Sequence, residues 1–223
     1  RARELEPNNG WIHNLEGLIA FEDGRQEEAE SLLRKAWEQL PEEDEVTLNY
    51  SQLLYQQRGL EKALEVFPEE DEITTALANQ KGNLLAAQGR YEEALRWYRK
   101  ALEEEPRNPV FLENIAALLF EMEQINEAED YLRKHLEIQP SSRGYALMGR
   151  ITSEKGELRR AEQAYREAIR SDAGAVWVRL ELAELLYRFG RWKEALEQAE
   201  AAYGSEADEK AREFAARIRK EYE

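Results

Sequence analysis

Apolar residues along this chain recur at i, i+3, i+4 and i+7 in successive blocks, and polar residues fill the positions between them, a spacing that predicts amphipathic α-helices. The blocks come in pairs broken near a glycine or a polar turn, so each pair reads as a helical hairpin. In the third pair Leu77, Ala78, Leu84 and Leu85 stripe the first helix, while Tyr91, Ala94, Leu95, Tyr98, Ala101 and Leu102 stripe the second. Ala29, Ala63, Ala94, Ala128, Ala161 and Ala195 recur at spacings of 34, 31, 34, 33 and 34 residues. The clearest copies of the surrounding phrase are GRYEEAL at Gly89 to Leu95, GELRRAE at Gly156 to Glu162 and GRWKEAL at Gly190 to Leu196. A period near 34 predicts a helical solenoid, in which each unit buries its apolar face against its neighbours.

The phase of the repeat divides the chain into a remnant of a preceding repeat at 1–9, repeats at 10–43, 44–74, 75–108, 109–141, 142–175 and 176–204, and a capping helix at 205–223. Small residues about seven before each turn (Gly17, Ser51, Gly82, Ala116, Gly149 and Ala183) are expected to let the paired helices approach closely. The second unit departs from the pattern. Its phrase LEKALEVFP meets Pro68 soon after Phe67, so its second helix is expected to be short and to end near Phe67. In the last segment Ser205 offers an N-cap, and Ala207, Ala211, Phe214, Ile218 and Tyr222 share one stripe. RARELEPNN at the start echoes KALEEEPRN at Lys100 to Asn108, which reads as the end of a repeat and predicts a fragment of a longer protein. The first hairpin is then expected to carry an uncovered apolar edge around Trp11, Leu15, Leu18 and Leu32, and to support weak self-association.

The run of first-helix small residue, turn, aromatic or Leu, Ala, later aromatic or Leu, second Ala and exit proline resembles the tetratricopeptide repeat family. The resemblance covers nearly the whole chain. It implies an all-α, right-handed α-solenoid of helical hairpins, closed by a C-terminal capping helix, and a protein-interaction scaffold whose first helices line a concave groove for a peptide segment of a partner. The groove candidates are Asn14, Asn49, Tyr55, Asn79, Asn83, Asn114, Phe120, Arg143, Arg150, Trp177 and Tyr187. The asparagines have two readings. An amide is donor and acceptor at once, so a ladder of amides can pair with a peptide main chain, and the protein O-glycosyltransferase type of repeat carries a similar ladder; alternatively, asparagine is simply common on first helices of this family. The carboxylate clamp of the chaperone-tail type matches at Asn83, Asn114 and Arg143. Asn79 replaces its Lys and Leu147 its Arg, so the resemblance argues against an acidic-tail ligand.

With 31 Lys+Arg against 47 Asp+Glu, the net charge of −16 argues against nucleic acid as a partner. No apolar run reaches the roughly 18 residues of a spanning helix, so no membrane insertion is expected. The chain has no cysteine, and His13 and His135 sit in different repeats without phased carboxylates, which leaves no expected metal or cofactor and no catalytic constellation. The PEEDE segments at Pro41 and Pro68 lack the alternating ligands of a calcium loop and read as solvated helix-entry loops. Trp37 and Trp97 read as packing residues. The expectation is a non-enzymatic docking scaffold. A substrate-recruiting arm of a larger enzyme and a homo-oligomerising module stand as alternatives; a cytoplasmic location is favoured, with a periplasmic or extracytoplasmic one left open by the missing upstream sequence.

Overall fold

A computed structural model describes residues 9–202 and 209–222 of the chain. Among them are thirteen α-helices and no strand. Six hairpins follow one another: α1 (Gly10–Glu22) with α2 (Gln26–Gln39), α3 (Asp44–Arg58) with α4 (Leu60–Leu64), α5 (Thr75–Ala87) with α6 (Tyr91–Glu104), α7 (Pro109–Glu121) with α8 (Ile125–Ile138), α9 (Ser142–Glu154) with α10 (Leu158–Ser171), and α11 (Val176–Arg188) with α12 (Trp192–Ala202); α13 (Glu209–Tyr222) closes the series. Contacts gather them into two compact units, Arg1–Pro106 and Arg107–Glu223, each with three hairpins. Residues 1–8, Ser205 and Ala207 lie outside the described residues, as does the side chain of Tyr222.

Several first helices are opened by a side-chain cap. Asn9 Oδ1 accepts from Trp11 N at 2.9 Å, Asn108 Oδ1 from Val110 N at 2.9 Å, and Ser141 Oγ from Gly144 N at 3.0 Å. The turn into a second helix needs a left-handed residue, supplied by Gly89 and Gly156 (both φ 74°) in the third and fifth hairpins; in the fourth, Glu123 (φ 60°) takes that strained position. The repeat alanines Ala29, Ala63, Ala94, Ala128, Ala161 and Ala195 are all fully buried. Close approach within a hairpin is clearest at Gly82 and Gly149, where an added Cβ would stand 2.6 Å from the rings of Tyr98 and Tyr165. Leu33, Ile115, Leu132, Ile151, Leu182 and Ile218 fill the seams between helices.

The second hairpin is irregular. Helix α4 has five residues and stops at Leu64, three short of Phe67; Phe67 N then donates to Leu64 O in a final turn before Pro68. Lys81 on the following α5 stands at the register of Tyr50 and Leu182, both buried. Its ammonium lies 4.2 Å from the Trp97 ring centroid and 5.7 Å from that of Phe67. The missing turns of α4 leave this corner to a lysine stem and two aromatic rings.

Candidate functional site

First helices carry the polar and aromatic side chains singled out above, and the two units use them differently. In the first unit the amides pair with each other. Asn49 Nδ2 donates to Asn14 Oδ1 at 3.1 Å, Gln80 Nε2 to Gln52 Oε1 at 3.1 Å, and Tyr98 Oη to Asn83 Oδ1 at 2.8 Å. Asn14 is buried, unlike the other candidates, and presents no open amide. Asn79 is half-buried on α5, and Tyr55 Oη accepts from Gln88 Nε2 at 3.0 Å. The polar stripe of α1, α3 and α5 thus links one hairpin to the next through side-chain hydrogen bonds.

In the second unit the two candidate arginines are claimed by carboxylates one repeat away. Arg143 Nε lies 2.8 Å from Glu113 Oε1, and Arg150 Nε donates to both oxygens of Glu181 at 3.0 and 3.1 Å. Sequence reasoning missed both acids, although separations of 30 and 31 residues mark them as neighbours in adjacent repeats. It also left His135 without a carboxylate. The structure buries His135, with Nδ1 2.9 Å from the Pro109 carbonyl oxygen and Nε2 3.3 Å from Glu113 Oε2 and 3.2 Å from Ser141 Oγ. Asn114 is half-buried on α7, and Leu147, at the position of the missing clamp arginine, is buried. No group of His, Cys, Asp and Glu suited to a metal ion occurs among the described residues.

Two depressions open on the first-helix face of this unit. One, of about 280 Å³, is lined by Phe120, Arg150, Tyr165, Glu181, Glu184 and Arg188, among others. The second, of about 370 Å³, lies where α11 meets α13 and is lined by Leu180, Glu184, Lys210, Glu213, Phe214 and Arg217. Glu184 belongs to both. Trp177, in the first turn of α11, is 42% exposed, and the Arg150 guanidinium sits 5.6 Å from its ring centroid. The hydrogen bond to Glu181 raises the Arg150 pKa further, so the guanidinium stays charged, and burial together with the Glu181 carboxylate pushes the Tyr165 phenol upward so that it stays neutral. Tyr187 Oη donates to Glu221 and its ring meets Phe214 edge-on at 5.5 Å, with Arg217 5.0 Å from the Tyr187 centroid. Phe120 and Arg150 thus line one depression, Trp177 lies beside Arg150, and Tyr187 packs against α13.

The family model for the tetratricopeptide repeat matches residues 20–72, 85–151 and 154–218, most of the chain. The chain belongs to the tetratricopeptide repeat family. A TPR repeat-containing protein of Treponema pallidum (strain Nichols) is 33% identical over 193 residues, which are 83% of this chain and 24% of that protein; the chain spans about a quarter of this relative's length. Among solved structures, the APC/C hetero-tetramer Cut9–Hcn1 is similar with a TM-score of 0.76 at 12% identity, covering 97% of this chain and 44% of that one. YrrB, described as a TPR protein with an unusual peptide-binding site, is similar with a TM-score of 0.61 at 21% identity, covering 84% and 97%. At these identities the two structures establish the solenoid fold alone. Tetratricopeptide repeats stack hairpins into interaction surfaces, so the chain is built as a protein-interaction scaffold. No helix among its described residues is long and apolar enough to cross a membrane.

Proposed function

We propose that the chain is a non-enzymatic docking module that receives a peptide segment of a partner protein on the first helices of its second unit. The observation that carries this reading is the pair of adjoining depressions that share Glu184, with Trp177 exposed on the same helix. A large amphipathic ring beside a charge-paired guanidinium offers an anchoring surface of the kind that concentrates binding energy. The paired arginines and glutamates are held before a ligand arrives, which lowers the ordering cost of binding. The first unit's amides, spent on one another, act as a spacer in this reading.

Selection of a displayed random-peptide library against the full chain, followed by fluorescence anisotropy with the enriched peptides, tests it. Trp177→Ala and Glu184→Ala should each weaken binding about tenfold or more, which corresponds to about 1.4 kcal/mol. Circular dichroism should stay unchanged, since Trp177 is exposed. Enriched peptides that bind both variants as tightly as the parent protein would move the site elsewhere.

A further inference from the structure

Aligning the first helices of the second unit on Ala116, Gly149 and Ala183 puts Phe120 at the register of Ser153, Glu121 at that of Glu154, and Arg150 at that of Glu184. On α11, Glu181, Glu184 and Arg188 follow at i, i+3 and i+7 and share one face. The depression of about 280 Å³ lies among these residues; Tyr165 and Leu185, both buried, form its floor, and Phe120 adds an apolar wall. Pockets for drug-sized ligands run from roughly 300 to 1,000 Å³, so this one suits a single long side chain. Its charges divide into two classes. Glu181 is committed, since Arg150 Nε donates to both of its oxygens. Glu154 and Glu184 are exposed, and no cation among the described residues lies within ion-pair distance of either. Arg188 is the remaining cation of the lining. Glu121 stands close enough to act on the Arg150 charge, so carboxylates without a partner outnumber the cation left over.

We infer that this depression is the subsite for a lysine side chain of the docked peptide, its stem lying on Phe120 and Leu185 and its ammonium meeting Glu154 and Glu184; the inference rests on the peptide-docking reading above. An amphipathic side chain matches a site with an apolar floor and a charged mouth, because the four-carbon stem covers the one while the head reaches the other. Charge selects the head. An acidic side chain would meet Glu154 and Glu184 with only Arg188 to offset them, and an apolar one would leave both carboxylates partly desolvated without a donor. The placement of the two acids selects lysine over arginine. Glu154 ends α9 and Glu184 lies in the middle of α11. A compact ammonium with three rotatable donors can serve carboxylates from two helices, whereas the planar guanidinium fork is matched to one carboxylate, as Arg150 is to Glu181.

The probes are the peptides selected from the random library, resynthesised with fluorescein and with the lysine replaced by norleucine, which keeps the stem and removes the ammonium, or by arginine. Each is titrated with the full chain and followed by anisotropy. The selected peptides should share a lysine, and norleucine in its place should weaken binding at least tenfold, with arginine between the two. Against Glu154→Gln/Glu184→Gln, in which both residues are exposed and helicity should be kept, lysine and norleucine peptides should bind within about twofold of each other. Trp177→Ala should weaken both peptides by the same factor. Selected peptides without a lysine, equal binding of the norleucine form, a preference for arginine, or a lysine effect that survives in the double glutamine variant would each overturn the inference. If Trp177→Ala still weakens binding in those cases, the docking reading stands and the lysine subsite alone is lost. Peptides insensitive to Trp177→Ala and to the double variant, or a library that yields no binder, would remove both.

Discussion

Lys155 Nζ lies 2.6 Å from Glu129 Oε2, tying the turn after α9 to the second helix of the preceding hairpin. Glu129 is almost fully buried, yet it also receives Arg160 at 2.7 Å and Arg133 at 3.2 Å. The arrangement recurs. Glu162 holds Arg191 at 2.5 Å and Arg166 at 2.7 Å, and Glu30 holds Arg58 at 3.0 Å and Arg34 at 2.7 Å. Each of these three glutamates directly follows a repeat alanine, and each draws at least one cation from the next hairpin and one from its own helix. A carboxylate placed there is desolvated by the stacked hairpins, so it is tolerated only with several donors around it.

That geometry sets an acid dependence. Donation by Lys155 lowers the Glu129 pKa to about 2 from an ordinary 4.5, against the opposing effect of burial and with help from Arg160. The folded pKa lies below the unfolded one, so the stabilisation is fully present above pH 4.5 and is lost as the pH falls through about 2. Glu129→Gln should cost on the order of 2–3 kcal/mol at neutral pH and flatten stability over that acid window. Urea unfolding at a series of pH values measures both; an unchanged slope in the variant would mean that other carboxylates dominate acid unfolding.

The tightest packing within a hairpin gives a second expectation. A Cβ on Gly149 would stand 2.6 Å from the Tyr165 ring, so Gly149→Val should destabilise the protein by about 1–3 kcal/mol through overpacking. Trimming the ring with Tyr165→Leu should recover part of that loss, giving a favourable coupling in a double-mutant cycle. Strict additivity of the two substitutions in chemical denaturation would show that the helices separate instead of clashing.

Helix positions, hairpin pairing and close-approach sites were legible because they depend on local periodicity and on small residues at fixed intervals. The phase of Gly82 and Gly149 predicted their contact with a partner helix without knowledge of which ring would fill it. The site was less legible. Whether Asn14 lines a surface or disappears beneath Asn49, and whether Arg150 is available or held by Glu181, depends on side chains about 30 residues away that meet only once the hairpins stack. A search for charges of opposite sign one repeat apart would have paired Arg143 with Glu113 and Arg150 with Glu181, and the glutamates after Ala29, Ala128 and Ala161 with a cation at the next turn. Periodicity also placed Leu18 and Leu32 on the uncovered edge of the first hairpin; both are half-buried, and Ile19 is the more exposed residue.

The shortened α4 predicts uneven backbone protection. With five helical residues followed by a turn, the segment 65–73 has few intrahelical hydrogen bonds to open, while α6 has fourteen residues in a continuous ladder. Amides in 65–73 should exchange orders of magnitude faster than those at the centre of α6. Comparable protection in the two segments would indicate that the loop is locked as firmly as the helices.

Lys81 joins that irregularity to stability. It occupies a register that is apolar or aromatic in most other hairpins, and its ammonium is left facing Trp97 and Phe67, with Lys100 5.8 Å from the same Trp97 centroid. Desolvation lowers its pKa, an effect that the nearby Glu70 and Glu69 offset in part. For a cation the sign runs opposite to that of Glu129. The unfolded chain holds the proton more tightly, so this residue costs stability at neutral pH, and the cost disappears as the pH rises through the folded pKa toward the unfolded one. Lys81→Met retains the unbranched stem, removes the charge and restores the residue type found at Met148, so it should raise stability by about 1 kcal/mol at neutral pH. The gain should shrink in alkaline solution. If Lys81→Met instead lowers stability at pH 7, the attraction between the ammonium and the Trp97 face outweighs its desolvation, and the lysine holds the corner that α4 leaves open.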